Sequence, residues 1–226
     1  VTFKEMSDFV VNTLGLQDID SYDETAMVAM WLNQGIIDIL SRTRAVVRCV
    51  QLNTQNGVDT YTLDHNILSI VDSEAGPDYG YSDSRRYRAA RNEWPINPSF
   101  VLIRSDVIQI IPTPDADGIT VQVWAVLKPT AMAADADDPA DEQFGALPYE
   151  FHDAPILYAL WKCADYGDDS SSQQGERYRM IYEGTDGRGG RLGQIRTMVN
   201  KRGTSIPVRR RVRMQGLSSS GTYVGG

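Results

Sequence analysis

The sequence predicts an α+β protein that is mainly helical: a four-helix bundle, a small antiparallel β-domain inserted between helices two and three, and an extended C-terminal arm. Three observations carry this. Apolar residues recur every three or four positions towards both ends of the 226-residue chain. Between those stretches, short β-branched runs alternate with turn residues. Residues 201–226 hold six cations and no acid. The expected organisation is N-terminal helices in 1–45, a β-rich insertion in 46–130, an acidic loop with the remaining helices in 131–200, and a basic arm in 201–226.

From Thr2 to Leu14, the residues Phe3, Met6, Phe9, Val10 and Leu14 form one helical stripe, and Asn12-Thr13-Leu14-Gly15 stops it. Ser21-x-x-Glu24 has the capping-box pattern for a second helix. Met27, Met30, Trp31, Ile37 and Leu40 continue that helix towards Arg42–Arg44, where cations suit the negative end of the dipole. Helical spacing makes the Met and Trp stripe core rather than a ligand box.

Strands follow. Val46–Leu52 alternates as V-V-R-C-V-Q-L, and Asn56-Gly57 signals a turn before Asp59–Leu63, which suggests a hairpin. Ile67–Val71 is a further short run. Phe100–Arg104, Val107–Ile111 and Ile119–Leu127 form the clearest sheet, with Pro112, Pro114 and Asp117-Gly118 between the last two. Proline cannot donate to a ladder, so Pro112 and Pro114 mark where pairing ends.

Between Ser73 and Asn97 the chain turns polar, with Arg85, Arg86, Arg88, Arg91 and Trp94 set among tyrosines. Arginine and aromatics together suit a subunit interface. They also suit a nucleic-acid grip, although the acidic body opposes it, and a solvated loop is the plainest reading.

Asp135, Asp137, Asp138, Asp141 and Glu142 put five acids into eight residues. A calcium loop needs alternating ligands, a glycine bend and a distal Glu, and this run has a proline instead, so an exposed acidic loop is expected. A third helix runs from about Pro148 to Tyr166, with Phe151, Leu157, Tyr158, Trp161 and Ala164 in register. Pro155 either kinks it or makes it restart after Asp153. A fourth spans about Ser172–Val199, and the five glycines in E-G-T-D-G-R-G-G-R-L-G should bend or break it. No phosphate-loop pattern accompanies them, so a hinge or a close backbone approach is the better reading.

The formal net charge is −8, unevenly placed. Lys201, Arg202, Arg209, Arg210, Arg211 and Arg213 are six of the 22 basic residues, so 16 remain against 30 acids before residue 201, a balance of −14. In V-R-R-R-V-R-M an extended strand puts Val208, Val212 and Met214 on one side and Arg209, Arg211 and Arg213 on the other. Such an arm cannot bury enough to fold alone, but it can add a strand to a partner.

Chemistry leaves few marks. Cys49 and Cys163 are the only cysteines and His65 and His152 the only histidines, none at metal-ligand spacing. No G-x-S-x-G, HExxH, GxGxxG or CxxC occurs. No enzyme, metal or cofactor is expected. No apolar run is long enough to span a bilayer, and V-T-F-K-E-M-S-D-F does not read as a secretory signal.

The order of parts resembles the head-to-tail adaptor (connector) proteins of tailed bacteriophages. The residues that carry this are the second helix with Trp31, the V-I-Q-I-I-P-T-P-D turn, the next strand with Trp124, the Lys128-Pro129 exit, the D-D-P loop and the L-P-Y-E-F-H start of the third helix. The resemblance spans roughly residues 20–185. It implies a structural virion protein made in the host cytoplasm and placed at the head–tail junction. It also implies a ring, typically of about twelve subunits, docked under the portal. Such a ring extends the DNA channel and presents a platform to the tail or a stopper protein.

Double-stranded DNA would pass through without sequence-specific binding. Asp135, Asp137, Asp138, Asp141, Glu142, Asp168 and Asp169 are then candidate channel or rim acids, since acidic walls repel phosphate. Residues from Lys201 onward become a portal-binding arm, and Arg85–Trp94 a subunit interface. Two other readings stand beside this one: a nucleic-acid-binding protein using the basic tail, and a stopper or tail terminator, which is usually built mainly on strands.

Overall fold

The computed structural model describes residues 1–16, 22–75, 99–115, 117–165, 169–185 and 189–201, with side chains given except at 22–24, 72–75, 99 and 169–172. Among these residues the fold is α+β, with five α-helices and two small antiparallel sheets. The helices are α1 (Phe3–Leu14), α2 (Tyr22–Thr43), α3 (Asp153–Asp165), α4 (Asp169–Glu183) and α5 (Arg191–Lys201). The strands are β1 (Arg48–Asn53), β2 (Thr60–Thr62), β3 (Ile67–Ala75), β4 (Ser99–Arg104), β5 (Val107–Ile111) and β6 (Thr120–Leu127). No helix of the described residues is long and apolar enough to cross a membrane.

Helix α1 begins with a capping box: the Thr2 hydroxyl accepts from the Glu5 amide and the Glu5 carboxylate accepts from the Thr2 amide, which satisfies two otherwise unpaired donors. It ends at Gly15, as the sequence suggested. Phe3, Met6 and Val10 are buried, but Phe9 is 54% exposed. The expected stripe was one residue too wide: a helix advances 100° per residue, which takes Phe9 off the face centred on Met6 and Val10. The same correction applies to α2. Its buried face is Val28, Leu32, Ile36, Ile39 and Leu40, whereas Met30 is 51% exposed on the opposite side. Ser21, the expected cap of α2, lies outside the described residues.

Helix α3 is central. It packs on α1, α2 and α4, and α5 closes against α2 and α4. The α2–α3 crossing requires Gly35. A Cβ there would stand 3.1 Å from the Pro155 Cα and the Tyr158 Cβ, closer than ordinary carbon contacts allow. Pro155 does not kink the helix. A 3-10 turn (Tyr149–Phe151) precedes α3, which starts afresh at Asp153, so the proline falls in the first turn, where its missing N–H breaks no bond. The glycine-rich run does break the last helix into α4 and α5. Gly184 and Gly190 meet backbone to backbone, and a Cβ on either would collide with the amide of the other.

The strands form two three-stranded sheets, in the orders β1-β6-β3 and β2-β5-β4, with every pair antiparallel. The expected β1–β2 hairpin does not form. Val50 pairs with Val123, while Tyr61 pairs with Ile108 in the other sheet. Nor do β4, β5 and β6 share one sheet. The chain crosses between sheets at Asn56-Gly57 and again at Pro112–Gly118, and these crossings brace each other. The Gly57 amide donates to the Pro114 carbonyl (2.9 Å), and the Asn56 amide to the Asp117 carboxylate (2.7 Å). Both turn signals were therefore real, but each carries the chain out of its sheet.

Strand β6 joins the two cores. Val121, Val123 and Ala125 face the β2-β5-β4 sheet and pack with Leu63, Ile67, Phe100, Ile108 and Ile110. Val126 points the other way, into the helical core with Leu147, Phe151 and Leu40. The strand period of two thus places one sheet between the helices and the second sheet.

Candidate functional site

The acidic loop is the sequence-derived site that falls mostly on described residues. It leaves β6 through Lys128-Pro129 and is pinned at its start by Asn33. That side chain accepts from the Met132 amide (2.8 Å) and donates to the Met132 carbonyl (3.0 Å), so α2 pairs with the loop as a strand edge would. Two acids hold the loop's own backbone. The Asp137 carboxylate accepts from the amides of Ala133 (2.7 Å) and Ala134 (2.8 Å), and the Asp138 carboxylate accepts from that of Ala140 (2.8 Å). Local side-chain to backbone bonds of this kind are why Asp favours turns over regular structure.

Asp138 also turns inward. Its carboxylate lies 3.9 Å from Nδ1 of the buried His152, whose Nε2 lies 2.9 Å from the Leu147 carbonyl. On the outside, Asp135 pairs with Lys4 of α1 (3.4 Å) and Glu142 with Arg48 of β1 (2.6 Å). Arg48 donates to the Glu142 carbonyl as well (2.8 Å). The α1 amides of Phe3 and Lys4 donate to the carbonyls of Asp137 and Asp135. The run expected as an exposed acidic loop is thus also stitched to α1, α2 and β1. Asp135, Asp141 and Glu142 stay exposed, while Asp137 and Asp138 are half-buried.

Beside the loop, a cavity of about 620 Å³ opens where the helices meet the sheet. Arg48, Lys128, Asp64, Asp141 and Glu142 are among its lining residues, with Arg48 and Glu142 already paired to each other. Among the described residues no three His, Cys, Asp or Glu side chains are grouped to hold a metal ion. Cys163 is buried and Cys49 half-buried, and burial pushes the Cys49 thiol up, away from the reactive thiolate.

A second network joins α2, α4 and α5. Tyr182 donates to Asp38 (2.7 Å), and Arg42 reaches both Asp38 (3.4 Å) and Glu183 (2.8 Å). From α5, Arg196 donates to the Arg42 carbonyl (3.2 Å). Burial works against the Arg42 charge, but the Glu183 hydrogen bond and the Asp38 carboxylate outweigh it and raise its pKa. Above them, Tyr158 meets Tyr182 and Trp161 edge-on and Trp31 at a tilt, with the Lys162 ammonium 3.7 Å from the Trp161 ring centre. Trp31 of the α2 stripe is thus packed into an aromatic cluster, with Lys162 as its cation.

These features describe a scaffold with braced surfaces. The family model of the SU10 adaptor protein matches residues 1–211. The chain belongs to the SU10 adaptor protein family. This is a family of structural phage proteins, so the adaptor is a virion component that associates with other components of the head–tail junction. No curated protein matches the chain.

Other expected sites of the adaptor are covered only in part. Lys201 is the exposed last residue of α5. Arg202, Val208, Arg209, Arg210, Arg211, Val212, Arg213 and Met214 lie outside the described residues, as do Arg85, Arg86, Arg88, Arg91, Trp94 and Asp168. Asp169 opens α4, and its side chain is not described. Asn33, Arg48 and Arg191 are functional in the fold but were not among the residues expected from sequence. Arg191 binds Asp153 (2.8 Å) and the Glu150 carbonyl, tying α5 to the start of α3. Asn33 left one clue, a short polar residue that favours helix ends set inside the W-L-N-Q-G-I-I run.

Proposed function

We propose that copies of the adaptor form a ring, of about twelve subunits, that docks under the portal and lengthens the DNA channel towards the tail or a stopper protein. In this reading residues 1–45 and 131–200 work as one four-helix bundle whose last helix is broken into α4 and α5, residues 46–130 as its β-rich insertion, and residues 201–226 as an arm that grips the portal. Lys201, Arg202, Val208, Arg209, Arg210, Arg211, Val212, Arg213 and Met214 supply that grip. Asp135, Asp141 and Glu142, with Asp168 and Asp169, face the channel or its rim, while Asp137 and Asp138 hold the loop in shape. Arg85, Arg86, Arg88, Arg91 and Trp94 contribute to the subunit interface.

One observation carries the proposal: a family match over residues 1–211 on a chain whose charge splits into −14 before residue 201 and +6 after it. An acidic wall repels phosphate and lets DNA slide, whereas clustered cations on the wall would hold it. A basic arm set apart from that wall is free to bind a protein partner by strand addition.

The test uses full-length chain, the same chain lacking residues 203–226, and purified portal. The full chain should be retained by portal and the truncated one lost, with both giving the same helical circular dichroism. Equal retention refutes the arm. Imaging assembled particles tests the ring directly, and density for this chain anywhere but the head–tail junction refutes it.

A further inference from the structure

Two helices of the adaptor carry large apolar side chains on their outer faces, each beside a charge with no partner among the described residues. On α1, Phe9 is 54% exposed and Asp8 next to it makes no ion pair or hydrogen bond there. On α4, Tyr178 and Tyr182 turn inward, which leaves Met180 and Ile181 outward at 46% and 45% exposure. Arg177 lies one turn before them on the same face, exposed and unpaired among those residues. Its neighbour Arg179 is already held by Glu176 and Glu183. A single exposed apolar residue needs no explanation. Here the two patches match: each is an apolar centre beside one charge that has no partner among the described residues, and these two charges are opposite.

Their placement matters as much. Helices α1 and α4 both pack on α3, and neither packs extensively on the other, so α3 separates the two patches. A contact between unlike faces of identical chains propagates from copy to copy and closes into a ring when the rotation allows. A self-paired contact centred on Phe9 would bring two Asp8 carboxylates to one interface with no cation of the patch to meet them, and one centred on Met180 and Ile181 would do the same with two Arg177. Pairing α1 with α4 avoids both.

We propose that the α1 face of one copy, Phe9 with Asp8, seats on the α4 face of the next, Met180 and Ile181 with Arg177. This rests on the ring reading given above and specifies its contact. Phe9, Met180 and Ile181 form the dry centre, and Asp8 and Arg177 set the register at the rim.

Charge reversal tests the contact with full-length chains. Asp8→Arg puts two arginines at every contact, and Arg177→Asp puts two aspartates there. Either variant alone should raise the concentration for half-assembly at least about tenfold, measured by analytical ultracentrifugation alone and with portal. In an equimolar mixture the two variants can alternate around the ring. Every contact then pairs an arginine with an aspartate, in native and swapped positions by turns, so assembly should return to within about threefold of wild type. Phe9→Ser and Ile181→Ser should each weaken assembly without rescue in any mixture. All four sites are exposed, so melting temperatures should stay near wild type. If wild type assembles and the reversals change nothing, or the mixture fails to rescue, this contact is wrong and the ring reading survives. If wild type stays monomeric both alone and with portal, the ring reading falls and this contact with it.

Discussion

The Tyr182 hydroxyl donates a 2.7 Å hydrogen bond to the Asp38 carboxylate, joining α4 to α2 across 144 residues of sequence. The Tyr182 ring is fully buried, and Asp38 keeps a second partner in Arg42. Tyr182→Phe preserves the packing and removes only the donor. A hydrogen bond to a charged group contributes about 1.5–3 kcal/mol, and retained Arg42 and partial exposure of Asp38 lower that, so a loss of about 1–2 kcal/mol is expected. Urea denaturation measures it, and a change inside about 0.5 kcal/mol would show that the bond adds little.

The same phenol predicts alkaline sensitivity. Burial first, then the Asp38 charge, pushes the Tyr182 pKa far above its ordinary value. The native state therefore holds the proton more tightly than the unfolded state. Its contribution is fully present below about pH 10 and declines above it, as the unfolded chain releases the proton. Urea midpoints from about pH 8 to about pH 11 should fall at the alkaline end, and less steeply in Tyr182→Phe. Tyr158, raised by burial and by Asp38, keeps part of the slope in that variant.

Gly35→Val should weaken the helical core. The new Cβ would sit 3.1 Å from the Pro155 Cα and the Tyr158 Cβ, atoms that no rotamer change can move. Overpacking of this kind costs about 1–3 kcal/mol, while leaving glycine in a helix gains back less than about 1 kcal/mol. A melting temperature lowered by several degrees is the expected result, and an unchanged or higher one would mean that α3 shifts freely.

Asn33→Ala strips the Met132 amide and carbonyl of their partner. Unpaired, part-buried groups cost about 1–3 kcal/mol. Amide exchange at Met132 should accelerate, and proteolysis should move to residues 133–142. Asn33→Asp keeps the acceptor and should fall between. Protection equal to wild type in Asn33→Ala would locate the anchor elsewhere, in the α1 and Arg48 contacts.

DNA binding should be weak and confined to the arm. In a gel shift at about 0.15 M salt the full chain should scarcely retard duplex DNA, and any low-salt binding should fall steeply with added salt. Removing residues 203–226 should abolish it. Tight, salt-tolerant binding would favour the nucleic-acid reading over the adaptor one.

Local features were legible where the cause was local. The α1 stop at Gly15 and an interruption at the glycines of the last helix depend on backbone geometry within a few residues, whereas Pro155 signalled either a kink or a restart and the structure chose the restart. The exposure of Phe9 and Met30 follows from the 100° step once the buried face is known, but an apolar stripe alone does not show on which residues that face is centred. The acidic loop was found by composition. Its anchors were not, because Asn33, Arg48 and Lys4 lie about 90 or more residues from their partners in sequence.

The sequence by itself determined the helix and strand segments, the two turn signals, the charge split and the resemblance that the family match later supported, since each depends on periodicity, backbone preference or the order of motifs. Tertiary structure decided the strand partners, the Gly35 crossing, the inward turn of Asp138 and the outward placement of Phe9, Met180 and Ile181. The reason is physical. Asn56-Gly57 specifies that the chain must turn, but β1 finds β6 and β2 finds β5 because Val121, Val123 and Ala125 bury only when the two sheets face each other.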